Sequence, residues 1–376
     1  MPISFSRQKK QPPPARTVSP DEFAKSCTFP SGDIRVRLKL EDETQVIGRI
    51  SSHAMSLASP VWKNFAYPPW NAADSGPVEE LDFTEDDPNA LLLLLQVIHF
   101  EFAPVKEQKP GTDQIYQLAI LCDKYDCVHL VGPWLDDWLE KAESIDVVRH
   151  HTYLLLKRFR GGDNNSACKE VDSEKWLFIA WVFGKQEIFE QTAKNKLLRA
   201  CTNEEGQLLT FKNELAPEAM PPDVLKQILS LRLAALEKLL DIVYRRVRGF
   251  ADNKEIHCPR EGVDKNRKAC DAIIYGSLIR GLELVDLQST RDLQDIKFSI
   301  NQVSSKIKNL EIHSLNPFHE SCFERDFEVQ VDSVLSNLGN PVLDSHRRHM
   351  EEQQRKLKGR VVSQEASMKK PQVAED

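Results

Sequence analysis

Four residues in the C-terminal half have the types and part of the spacing of a metal site. Cys258 and Cys270 flank a charged loop holding Pro259, Gly262 and Lys265. About fifty residues further on, just after Asn316-Pro317, comes His319-Glu320-Ser321-Cys322. Three thiols and one imidazole complete a tetrahedral zinc site, and His-x-x-Cys suits a tight turn. Two features weigh against it. The Cys258–Cys270 interval is wider than the usual two to four residues, and His257 and His313 are spare donors. Free cysteines are also among the most commonly buried residues, so four unlinked core side chains stand as the competing reading. If a metal is held, all four ligands are protein groups and no position is left open for a substrate. Such a site is structural.

Other chemistry leaves little trace. The chain has no glycine-rich phosphate loop, no Gly-x-Ser-x-Gly elbow and no His-Glu-x-x-His helix. The pairs His150-His151 and Asp136-Asp137 fall in helical stretches, where neighbours in sequence point in different directions. Cys122, Cys127, Cys168 and Cys201 lack histidines at ligand spacing and read as packing residues. An enzyme is not expected, although a site assembled from distant loops would leave no motif.

Bulk properties narrow the class further. A chain of 376 residues has room for two or three domains. Its 41% hydrophobic and 28% charged residues are ordinary for a soluble globular protein. A net charge of −7 and a pI near 5.9 argue against a dominant nucleic-acid surface. The N-terminus has no apolar signal core, and the longest apolar run, Ala90 to Phe100, is too short to span a bilayer. Eight cysteines without a secretion signal are expected to be mostly reduced, in the cytoplasm or nucleus.

The elements begin with a hairpin. Ile34 to Leu40 alternates apolar and charged residues, Glu41 to Thr44 is a polar loop, and Gln45 to Ile50 returns as the partner strand. The period then changes: Ala54, Leu57, Ala58, Val61, Trp62 and Phe65 share one helical face. Ser51 or Ser52 is placed to cap, and Ser59-Pro60 supplies a second cap and first-turn proline, which predicts two short helices. His53 is expected to be a partly buried structural residue. A strand over 78–83 and a helix from Asn89 to Phe100, buried on more than one side, follow. Pro104, Pro110 and Gly111 mark a loop before a helix ending near Asp126. A short helix follows Gly132-Pro133.

From residue 145 the period is helical, with helices predicted at 145–160, 173–184, 186–201, 221–249, 266–285, 289–310, 323–338 and 344–358. Leu293, Ile296, Ile300, Val303, Ile307 and Leu310 keep a regular heptad spacing, too short for a free coiled coil and suited to packing on a neighbouring helix. Residues after 343 read as a charged, solvated helix that fades into a tail.

His53, Leu57, Ser59 and Phe65, with Asp33 ahead of the first strand, resemble the opening of a BTB/POZ domain. The order of elements over residues 31–141 is similar to that plan, and so are the Leu91 to Leu95 helix and the Ala119 to Tyr125 segment. The resemblance implies a protein-interaction module, with those five residues in its core and pairing surface and a homodimer or heteromer as its product. Cys270-Asp271-Ala272, Gly276-Ser277-Leu278, His319-Glu320-Ser321-Cys322 and His346-Arg347-Arg348-His349-Met350 further resemble the tail of fungal BTB-containing proteins. That likeness adds weight to one structural zinc.

The expected fold is therefore an α+β BTB/POZ-like domain, a small sheet plus helices at 31–141, followed by a mostly α-helical region at 145–343 with the possible zinc site. A disordered arm is expected at 1–28, and a charged helix with a disordered tail at 344–376. The expected function is non-enzymatic assembly, as a scaffold or regulator. A substrate adaptor of a cullin-type ubiquitin ligase is the alternative, although neither kelch repeats nor zinc fingers are present. Neither a membrane nor nucleic acid is an expected partner.

Overall fold

The alternation of the first strand dictates a sheet with one buried face. In the computed structural model, which describes residues 19–69, 76–144, 173–210, 214–217, 219–251, 255–288 and 292–359, β1 (Ile34–Lys39) and β2 (Gln45–Ile50) pair antiparallel. Their register sets Ile34 opposite Ile50 and Lys39 opposite Gln45. Ile34, Val36 and Leu38 are fully buried. Arg35 and Arg37 point the other way and meet acidic residues of β3 (Glu80–Asp82), which lies parallel to β1: Arg35 Nε is 3.4 Å from Glu80, and Arg37 pairs with Glu80 and Asp82. The sheet order is β2-β1-β3.

The N-terminal arm differs from expectation. Residues 1–18 lie outside the described residues, but α1 (Pro20–Ser26) is an ordered helix closed by a Ser19–Glu22 capping box. Phe23 and Cys27 are buried, and Thr28 bridges to Arg49 of β2. Gly48 makes this docking possible, since a Cβ there would lie 2.3 Å from the Cys27 carbonyl oxygen.

Two short helices follow the hairpin, α2 (Ser52–Ala58) and α3 (Pro60–Ala66), capped by Ser51 and Ser59. Of the face expected from the spacing, Ala58 and Trp62 are buried, but the other buried residues are Ser52, Met55 and Ala66. Leu57 is 88% exposed and Phe65 42%. The reason is the break at Ser59: its extended backbone resets the helical phase, so one 3.6-residue period cannot be carried across it. His53 is likewise exposed rather than partly buried.

α4 (Pro88–Ile98) is capped by Asp87 and buried nearly all round. The expected loop after it contains a helix, α5 (Phe102–Glu107), because Pro104 falls in its first turn, where a missing N–H costs nothing. α6 (Thr112–Lys124) follows, then a 3-10 turn (Val128–Val131) and α7 (132–144). The predicted helix at 145–160 lies outside the described residues.

Backbone proximity divides the chain into two compact units. The first holds residues up to 109 together with 121–134; the second holds 110–120 and the residues from 135 onward. The division passes through α6.

Within the second unit, α8 (Ser173–Val182), α9 (Gln186–Arg199), α10 (Val224–Ala251), α11 (Asp264–Leu284), α12 (Ile300–Lys308), α13 (Phe327–Ser336) and α14 (Asp344–Leu357) surround one core. The hub is α10, 28 residues long, which touches α9, α11, α12 and α13. A single helix at 289–310 does not form. Residues 293–295 make a 3-10 turn, the chain extends, and a Ser299–Gln302 capping box restarts the helix. Arg232 of α10 holds the break open by donating to the carbonyls of Ile296 (2.6 Å) and Phe298 (2.7 Å). Ile300, Val303 and Ile307 still pack inward.

The C-terminal helix is not a solvated rod either. His346, Met350 and Gln353 of α14 form a buried stripe, and His346 Nε2 donates to the Pro222 carbonyl at 2.7 Å. Residues 360–376 lie outside the described residues. No helix among the described residues is long and apolar enough to cross a membrane.

Candidate metal centre

Local rules place each of the four donors. Cys258 sits on the loop between α10 and α11. Arg267, one turn into α11, donates Nε and Nη2 to the Cys258 carbonyl, both at 3.2 Å. The residue before it is held too: His257 N–H donates to Asp271 Oδ2 at 2.8 Å, and His257 Nε2 bonds the Gly249 carbonyl at 2.9 Å. Cys270 stands in the second turn of α11 and is fully buried.

His319 and Cys322 come from a 3-10 helix, Pro317–Cys322, that Asn316 caps through a 3.0 Å bond from Phe318 N–H. A 3-10 helix turns once in three residues, so positions i and i+3 eclipse. His-x-x-Cys on this element therefore presents its imidazole and thiol on the same side.

The donor atoms of Cys258, Cys270, His319 and Cys322 all lie within 4.8 Å of one another. Cys258 Sγ is 3.4 Å from His319 Nδ1 and 3.7 Å from Cys322 Sγ, and Cys322 Sγ is 3.5 Å from His319 Nδ1. A tetrahedron with Zn–S near 2.3 Å and Zn–N near 2.05 Å has S–S edges of about 3.8 Å and S–N edges of about 3.6 Å. The three separations match those edges. A disulfide needs about 2.05 Å, and every cysteine among the described residues is free.

Burial pushes the Cys270 thiol up to about 12, and the neighbouring thiols of Cys258 and Cys322 push the same way. The Cys322 thiol is raised as well, chiefly by desolvation and by Cys258. The raised thiols of Cys270 and Cys322 hold their protons unless a cation shares the site; a divalent metal supplies that charge. Three thiolates and a divalent metal would sum to −1, and two arginines stand close. Arg267 grips the Cys258 carbonyl. Arg260 lies over the Phe318 ring at 4.6 Å and donates to Ser321 Oγ. His257 and His313, the spare candidates, are not in the cluster.

The five residues assigned to a pairing domain separate into two groups. Asp33 accepts from Ser52 N–H (2.7 Å) and Ser52 Oγ (2.6 Å), tying β1 to α2; desolvation opposes its charge, but these bonds win and hold its carboxyl below the usual range. Ser59 is buried, caps α3, and donates Oγ to the Tyr125 carbonyl at 2.6 Å. These two maintain the fold. His53, Leu57 and Phe65 reach the surface.

Sequence reasoning missed a second exposed group in the same unit. Phe100, 78% exposed, meets Phe102 edge-on at 6.0 Å, and Phe102 lies 5.7 Å from Trp134. Phe100 has φ +63°, a left-handed conformation that an aromatic residue adopts only under constraint. The signal was present in His99-Phe100-Glu101-Phe102, two aromatics placed beyond the end of the buried helix.

Comparison of the chain with protein-family models, curated proteins and solved structures finds no match.

Proposed function

We propose that this protein is a non-enzymatic assembly factor whose helical unit is closed by one structural zinc on Cys258, Cys270, His319 and Cys322. The observation that carries the metal reading is the set of three tetrahedral edge lengths among Cys258, His319 and Cys322, with the Cys270 thiol within 4.8 Å of each. With all four positions filled by the chain, the metal would cross-link the α10–α11 loop, α11 and the 317–322 turn rather than meet a substrate. Elemental analysis of the purified chain tests it. One zinc per chain, lost in Cys270→Ser, is expected; a metal-free chain of unchanged stability overturns it.

The first unit is read as a BTB/POZ-like pairing module. Support comes from the exposed Leu57 and Phe65 and from the exposed Phe100–Phe102 ring pair, since exposed aromatic and aliphatic side chains serve as anchors of protein interfaces. Light scattering on the full chain should give a dimer or a stable complex, and a strict monomer that captures nothing counts against it. Recovery of ubiquitin-ligase subunits by affinity capture would favour the adaptor alternative over a scaffold.

A further inference from the structure

We infer that Cys322 is an oxidation site through which a hydroperoxide opens the metal centre, by forming a Cys258–Cys322 disulfide. The inference rests on the zinc reading above and adds a regulation to that site.

The four donors are not equivalent. Cys258, Cys270 and His319 are buried, whereas Cys322 is partly exposed and is the one thiol of the set that a small oxidant can reach without opening the core. Metal binding keeps it as a thiolate, the nucleophilic form. Arg260, stacked on Phe318 and bonded to Ser321, sets a positive charge beside it.

Geometry also selects the resolving partner. Cys258 Sγ stands 3.7 Å from Cys322 Sγ, so an S–S bond requires closure of about 1.7 Å. Both residues lie outside regular α-helix: Cys258 in an irregular loop, anchored at its carbonyl by Arg267 but followed by exposed Pro259, Glu261 and Gly262, and Cys322 as the last residue of a six-residue 3-10 helix. Cys270 is held in the regular hydrogen-bond ladder of a 21-residue helix. The pair that can close is Cys258 with Cys322.

The chemistry balances. Cys322 Sγ attacks the O–O bond of hydrogen peroxide; an S–O bond forms, the O–O bond breaks, and hydroxide leaves. Cys258 Sγ then attacks the sulfenic sulfur; the S–S bond forms, the S–O bond breaks, and a second hydroxide leaves. Two thiolates have given up two electrons and the peroxide has taken them. Two of four donors are consumed, and Cys270 with His319 cannot hold the metal alone.

The test uses the full, zinc-loaded chain and equimolar hydrogen peroxide, with released zinc followed by a chromogenic chelator. One zinc per chain should appear. The denatured product should be two hydrogen atoms lighter than the reduced chain, with a peptide map linking Cys258 to Cys322, and a dithiol with added zinc should restore the start. Cys322→His keeps a fourth donor but cannot form the bond, so its release should fall to none. Cys201→Ser, which removes a partly exposed thiol elsewhere, should release zinc as the parent does. A purified chain without zinc removes this inference together with the reading beneath it. Zinc that is bound but survives the peroxide, or leaves without the Cys258–Cys322 link, overturns this inference alone.

Discussion

His319 and Cys322 stand one 3-10 turn apart, with Nδ1 and Sγ separated by 3.5 Å on the side that faces Cys258. The intervening Glu320 and Ser321 contribute spacing, not donors. Alanine at both positions should leave the zinc content at one per chain. One residue inserted between Ser321 and Cys322 rotates the thiol by about 120° on such a helix and should abolish binding. Elemental analysis of the two variants, each checked for helical content, decides between them.

Acid and alkali should act on the metal centre in opposite ways. In the metal-free chain Cys270 has a folded-state pKa of about 12, raised above an ordinary 9.0 by burial and the neighbouring thiols. The folded state thus holds this proton more tightly than the unfolded one. That stability is complete below pH 9.0 and is lost as pH climbs toward about 12. The zinc-loaded chain holds thiolates already and should show no such decline. It should instead lose metal on acidification, as protons compete for sulfur and imidazole. Melts across pH with and without chelator test both slopes, and parallel curves would refute the assignment.

Arg232 is buried and serves three carbonyls, those of Ala200 (3.0 Å), Ile296 (2.6 Å) and Phe298 (2.7 Å). Arg232→Met removes all three donors where water does not reach. The expected loss is roughly 3–5 kcal/mol of stability, with Arg232→Lys between it and the parent. Denaturant unfolding gives the value, and a change under ~1 kcal/mol would show that the carbonyls find other partners.

Ser59 combines a helix cap with a long-range bond to Tyr125. Ser59→Ala should destabilise the first unit by about 1–2 kcal/mol. Hydrogen exchange confined to residues of that unit would locate the loss.

Phe100 offers a separation of stability from binding. Its left-handed backbone costs about 1–2 kcal/mol, which glycine relieves, offset by glycine's greater freedom when unfolded. Phe100→Gly should therefore leave stability unchanged or raise it by up to ~1 kcal/mol, while weakening any complex made through this surface. A marked loss of stability would assign the ring to the fold.

The sequence by itself determined the features that rest on local rules. The hairpin bounds followed from an alternation of period two, and the breaks between α2 and α3 and at Pro88 followed from Ser-Pro and Asp-Pro caps. The four donors were legible from residue type and the His-x-x-Cys interval. Tertiary structure alone decided the rest, because the deciding partner lay far away in sequence. Arg232, some 65 residues before the break it stabilises, ended a helix whose heptad spacing had no local fault. α14 looked solvated until Pro222 and Gly184 supplied acceptors for His346 and Gln354. Cys258 and Cys270, too far apart in sequence for a familiar motif, were joined to His319 and Cys322 by the packing of α11 against α10 and by a 3-10 turn. Helical period shows which residues can share a face; it does not show what will cover that face.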